Sequence, residues 1–229
     1  EGTLGIISEC WLRLQKRPVF RATAGIVFPS WRAGAEAVRP IVQAKLWPSN
    51  LRLLDPAEAK QSAGLDGEQA LLIAGFESAD VPQDANIHAA VALAREAGGS
   101  IDDDQIRVDD GQGKATGREG AVGAWRSSFI GVNAGLTNGL GLIVDTFETA
   151  ITWDRVERFH DGVMRATRDA VERVCGTGSV TCRFTHAYPD GPAPYYTVLA
   201  PAKPGQELEQ WAEIKRAASD ALISLGGTI

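Results

Sequence analysis

The order of elements in the sequence predicts an α+β fold, an antiparallel sheet with its helices mainly on one face. Short alternating or apolar stretches read as strands, and longer stretches with apolar residues at helical spacing read as helices. The two kinds interleave as β-β-α-β-α-β and then β-α-β-β-α. Helices that return between strands in this ferredoxin-like fashion let the strands pair antiparallel, with the helices packed on the sheet.

The elements follow in order along the chain. Gly5 to Gln15 alternates, with Ile6, Cys10, Leu12 and Leu14 on one face and Glu9, Trp11, Arg13 and Gln15 on the other, as a half-buried strand would. Lys16-Arg17-Pro18 breaks it, and Phe20 to Phe28 forms the next strand, ending at Pro29. Ser30 caps a helix to about Leu46, with Val38, Ile41 and Val42 inward and Pro40 as an interruption or kink. Asn50 to Leu54 is a short strand, and Asp55-Pro56 starts a helix with proline in its favoured first turn.

Ala70 to Phe76 is an apolar strand, and Asp84 to Ala97 a helix stopped by Gly98-Gly99. Ile101 to Gly120, acidic and glycine-rich, reads as a mobile surface loop, and Ala121 to Ile130 as helical. Leu142 to Ala150 is a strand. Thr152 caps a long helix whose Val156, Phe159, Val163, Ala170 and Val174 fall at helical spacing. Strands Ser179 to Ala187 and Tyr195 to Ala200 flank a Pro- and Gly-rich turn, and the last helix runs from Glu207 to Leu225.

Composition narrows the function. Acidic residues outnumber basic ones, 29 to 23, for a net charge of −6. That balance argues against nucleic acid as a partner, since a phosphate backbone is bound by Lys and Arg displacing counterions. Cys10, Cys175 and Cys182 have no paired spacing, so reduced thiols and a cytoplasmic setting are expected. No apolar run approaches a membrane span. The absence of an initiator methionine and of a leader reads as a piece of a longer protein.

Three patterns carry little chemistry. Gly111-Gln112-Gly113-Lys114-Ala115-Thr116 fails as a phosphate loop, because Ala follows the lysine and Val108 stands in the first glycine's place. Asp102, Asp103 and Asp104 read as a solvated charge run. His88 and His160 have no partner at ligand spacing, so no metal site is expected. His186 is different, because Tyr188, Asp190 and Tyr195 lie beside it in THAYPDGPAPYY.

Four stretches carry a resemblance. EGTLGII at residues 1–7 resembles the last cofactor-contacting segment of the FAD-binding domain in the vanillyl-alcohol-oxidase superfamily. Its glycines would let backbone N–H groups approach a flat ring or a pyrophosphate. NLRLLDP (Asn50 to Pro56), VDTFETAITWDRV (Val144 to Val156) and CRFTHAYPDGPAPYYT (Cys182 to Thr197) resemble the FAD-linked oxidase C-terminal, or cap, domain as found in the alkyldihydroxyacetonephosphate synthase family. The resemblance spans nearly the whole chain. It implies that residues 1–16 are the tail of an FAD-binding domain and that 17–229 are a substrate or cap domain. On this reading the chain stops at Gly226-Gly227-Thr228-Ile229, just before the family's run of histidines.

The resemblance implies FAD as cofactor, contacted by Glu1, Gly2, Thr3, Leu4, Gly5 and Ile6, and a lipid-like substrate. The activity it implies is exchange of the acyl chain of an acyl-dihydroxyacetone phosphate for a fatty alcohol in ether lipid synthesis, with the flavin as a covalent trap. Tyr195 matches the family's catalytic tyrosine and Arg52 an arginine needed for activity. An ungapped count places the family's phosphate-gripping arginine at Asn133-Ala134, where none stands. Arg126 stands in for it only if its helix shifts, and Arg126 and His186 are the substrate-binding candidates on this reading. The partners implied are the absent FAD-binding domain, with a peripheral membrane contact and a homodimer left open. The isolated chain is expected to bind FAD weakly or not at all. Two alternatives stand beside this reading. One is a flavin-dependent D-2-hydroxy acid dehydrogenase, whose His-x-x-Asp-Gly-Asn-x-His metal pattern is partly kept by His186 to Gly191. The other is a non-catalytic cap domain.

Overall fold

The computed structural model describes residues 4–112, 116–131 and 141–228. Among them, seven strands form one open sheet: β1 (Phe20–Phe28), β2 (Asn50–Leu54), β3 (Ala70–Ser78), β4 (Arg107–Asp110), β5 (Leu142–Glu148), β6 (Ser179–Ala187) and β7 (Pro192–Pro201). Their spatial order is β4-β1-β3-β2-β6-β7-β5, with every neighbouring pair antiparallel. The helices are α1 (Trp31–Gln43), α2 (Pro56–Ala63), α3 (Asp84–Glu96), α4 (Gly120–Gly131), α5 (Val156–Cys175) and α6 (Glu207–Ser224).

Strand alternation sorts the core. Ala22, Ala24, Ile26 and Phe28 of β1, Leu53 of β2, Cys182 and Phe184 of β6, and Tyr196 and Val198 of β7 bury against α1, α3, α5 and α6 on one face. The other face carries a smaller cluster, in which Leu54, Leu71 and Ile73 pack against Ala59 and Ala63 of α2 and Trp125 of α4. β3 lies between the two, so its run Ala70 to Phe76 is buried on both sides and reads as continuously apolar. Four helices thus cover one face. Two helices, α2 and α4, pack on the other. The α+β class expected from the sequence holds, with the helices mainly on one face.

Four local expectations change. Residues 5–15 form no strand: Leu4, Ile6, Trp11, Leu12 and Leu14 are exposed. Alternation writes a preference for two faces, but a strand also needs a neighbouring backbone to pair with, and among the described residues no strand pairs with the segment. The expected loop 101–120 contains an edge strand, β4 on β1, entered through the turn Asp103–Gln105. Four residues are too few for a period to stand out. α1 runs through Pro40 without a break and ends at Gln43. α5 starts at Val156 with no side-chain cap, so Thr152 does not cap it.

Candidate active site

The site begins with a junction. β2 meets β6 with Leu53 opposite Phe184 and Leu54 opposite Arg183. Asp55 then leaves the sheet and caps α2: its Oδ1 accepts from the Glu58 amide at 2.7 Å and its Oδ2 from the Cys182 amide at 2.6 Å. The Asp55 amide donates in turn to the Cys182 carbonyl. Burial, outweighing these two donors, pushes the Asp55 carboxyl up to about 6.

In a capping box the glutamate three residues on would reach back to the cap amide. That amide is already used, and Glu58 turns instead to Arg183, with Oε1 2.6 Å from Nη1. Glu58 is almost fully buried and the Arg183 side chain nearly so. The Arg183 guanidinium lies 4.4 Å from the ring centroid of Tyr195, its direct neighbour across the β6–β7 ladder. Across the β5–β7 ladder Tyr195 faces Glu148. Glu148 accepts from the Thr185 hydroxyl and lies 3.8 Å from His186 Nδ1. A bulge between Phe184 and His186 turns this last part of β6, and such irregularities recur beside active sites.

Arg52 reaches the same face from β2. Its Nε donates to Asn50 at 3.0 Å and its guanidinium sits 5.4 Å from the Trp125 ring centroid. Burial first, then the like charge of Arg183, holds its pKa below the usual arginine value, while Glu58 and Glu148 act the other way. Beside it a cavity of about 270 Å³ is lined by Arg52, Asn50, Trp47, Thr185, His186 and Tyr188, among others. Trp47, exposed at this rim, holds a left-handed backbone, φ 54°, which is uncommon for a bulky residue and often found at functional sites.

The sheet therefore gathers three of the expected residues, Arg52, Tyr195 and His186, on one face. Arg126 is not among them: it is exposed on α4, and Trp125, one residue earlier, turns inward instead. Of the expected flavin contacts, Leu4, Gly5 and Ile6 are exposed, while Glu1, Gly2 and Thr3 lie outside the described residues, as do Asn133-Ala134. Sequence reasoning missed Glu58, Arg183 and Glu148. The Asp-Pro-x-Glu helix start, the CRF step and the FET step were the available signals. Two quoted motifs also meet: Trp153 Nε1 donates to the Tyr188 carbonyl, and the Trp153 amide to that of Asp190. Gly191 sits so close to the Ile151 carbonyl that a Cβ there would collide with it.

Among the described residues no three His, Cys, Asp or Glu side chains gather as a metal site, and no helix is long and apolar enough to cross a membrane.

Comparison with known proteins agrees with this architecture. An alkyldihydroxyacetonephosphate synthase from Caenorhabditis elegans is 24% identical over 253 residues, an alignment that takes in 100% of this chain and 41% of that protein. A solved alkyldihydroxyacetonephosphate synthase superposes with a TM-score of 0.73 at 16% identity, covering 93% of this chain and 41% of that one. The 4-ethylphenol oxidase of Gulosibacter chungangensis follows at 0.59 and 10% identity, over 92% of this chain and 45% of its own. At such identities the structures establish the fold, and the chain spans well under half the length of these relatives. The model of the family described as FAD linked oxidases, C-terminal domain, matches residues 17–229, and the chain belongs to that family.

Proposed function

We propose that the chain is the substrate-side half of an FAD-dependent enzyme of the alkyldihydroxyacetonephosphate synthase type, exchanging the acyl chain of an acyl-dihydroxyacetone phosphate for a fatty alcohol. The observation that carries this reading is convergence: Arg52 and Tyr195, far apart in sequence, stand on one sheet face, linked through Leu54, Arg183 and the β6–β7 ladder.

The side of the sheet that carries Arg52, Arg183 and Tyr195 fits one side of a flat cofactor, since it presents two guanidinium groups and an aromatic ring. Tyr195 and Arg52 would face the flavin there, and the 1–6 segment would reach it from the adjoining domain. FAD, when bound, supplies the reactive ring nitrogen at which the acyl chain is displaced. The chain's own residues bind and move protons. Tyr195 takes the proton from the carbon beside the substrate carbonyl, a task a phenol performs when a cation or a relay supports it. Arg52 and His186, at the cavity mouth, hold the substrate's anionic end. The rim placement of His186 beside exposed Tyr188 and Trp47 suits a ligand entering from that edge.

The test uses the full-length protein carrying FAD. Mixing with hexadecanoyl-dihydroxyacetone phosphate should bleach the flavin's visible absorbance and release hexadecanoate. Bleaching by a 2-hydroxy acid in place of that reaction would overturn the reading and point to a dehydrogenase.

A further inference from the structure

We infer that Arg183, clamped by the buried Glu58, is a positioning residue that fixes the phenol of Tyr195 on its face of the sheet. The inference rests on the reading of Tyr195 as the proton-handling group and names what holds it.

Tyr195 is only half-buried, and a half-buried ring can change rotamer unless something holds it. Its neighbours on the strand do not restrain it, because Pro194 and Tyr196 point into the opposite core. Across one ladder lies the Arg183 guanidinium, whose planar cation prefers to lie over an aromatic face. A long arginine side chain can orient a ring only if it is itself held in place. This one is held by the Glu58 carboxylate, a second face contact that also receives the Thr181 hydroxyl at 3.5 Å. Glu58 is fixed in turn by the first turn of α2, which Asp55 nails to β6.

A purely structural role explains the pair less well. α2 is already tied to β6 by Asp55, through the side chain to the Cys182 amide and the backbone to the Cys182 carbonyl. A buried ion pair adds little to attachment, because desolvation offsets most of its attraction. Two adjacent residues, Cys182 and Arg183, thus divide the work. The first anchors the helix in the core. The second carries the helix's carboxylate across to the tyrosine. Arg52 lies on the same face, near enough for its proton affinity to respond to Arg183. The clamp therefore sits inside the cluster.

The experiment uses the full-length FAD enzyme with hexadecanoyl-dihydroxyacetone phosphate, reading kcat, KM and bound flavin. Arg183→Gln should lower kcat on the order of 10²-fold, the effect of small misplacement of a reacting group, with KM and flavin content near those of the parent. Glu58→Gln should give a smaller loss in the same direction. Combining Glu58→Gln with Arg183→Gln should cost no more than Arg183→Gln alone, since Glu58 acts through the arginine. Arg183→Lys, which keeps the charge but loses the planar face, should recover only part of the rate. Multiplying losses in the Glu58/Arg183 pair, or a fall in flavin content that tracks the fall in kcat, would overturn the inference in favour of a folding role. If Tyr195→Phe leaves kcat intact, the reading of Tyr195 itself fails. If Tyr195→Phe abolishes turnover while Arg183→Gln does not slow it, only the clamp fails.

Discussion

Glu148 and Tyr195 stand opposite one another across the β5–β7 ladder, while the next pair, Phe147 and Tyr196, stacks at 4.9 Å on the other face of the same sheet. One residue step along two strands separates a polar cluster from the core. The two adjacent tyrosines consequently have different fates: Tyr196 is fully buried, with burial raising its phenol well above the ordinary value, and Tyr195 looks out.

The tyrosine pair gives the first prediction. On the proposed function, Tyr195→Phe in the full-length protein should remove most turnover and leave thermal stability within about 0.5 kcal/mol, as for surface changes generally. Tyr196→Phe should keep turnover and shift stability by no more than about 1 kcal/mol, the usual scale of one buried hydroxyl. Paired activity assays and melting curves check both. Equal activity losses would mean that the strand's facing has no bearing on catalysis.

Glu148→Gln removes the charge facing Tyr195, Thr185 and His186. The side chain is nearly half exposed, so its pairing is worth well under about 1 kcal/mol and the melting temperature should hardly move. Turnover by the full-length enzyme should fall on the order of tenfold or more if the carboxylate helps to pass on the phenol's proton. A steady kcat would remove Glu148 from the cluster's chemistry.

Asp55→Asn should destabilise the fold. Asp55 accepts two backbone N–H groups through two oxygens. An asparagine offers one oxygen, and the other buried donor is left unsatisfied at about 1–3 kcal/mol. Denaturant unfolding of the variant measures this, and an unchanged midpoint would show that the junction tolerates the loss.

His160 gives a pH dependence. It is buried, stacked 3.7 Å on Trp31, and burial, helped by Arg168, pulls it down to about 3. The folded chain therefore keeps His160 neutral where the unfolded chain binds a proton. Stability from this group is present above about pH 6.5 and is lost as pH falls from about 6.5 towards 3, by about 1.4 kcal/mol per unit. Asp55, raised to about 6, works in the opposite sense: its contribution is lost as pH rises through about 6. The parent's own curve is therefore flattened between the two. A His160→Phe variant keeps Asp55, so the parent-minus-variant difference isolates the histidine. That difference should become steadily less favourable to the parent below pH 6.5. A difference that stays flat with pH would show that His160 titrates in the fold as it does in the unfolded chain.

Much of this was legible in the sequence, because strands and helices are written in local periods. The alternation of β1, the Ser30 cap, the Asp55-Pro56 helix start and the apolar stripe of α5 are each readable from neighbouring residues without any long-range contact. The family motifs likewise marked Arg52, His186 and Tyr195. The tertiary structure decided what no period encodes. The Glu58–Arg183 pair spans 125 residues and depends on how two sheet halves meet at Leu53–Leu54. The outward turn of Arg126 depends on which side of α4 met the sheet. The 5–15 stretch had the alternation of a strand and stayed exposed, since hydrogen-bond partners for a strand come from a neighbouring backbone. Local sequence set which residues share a face, and packing between distant segments set which of those residues touch.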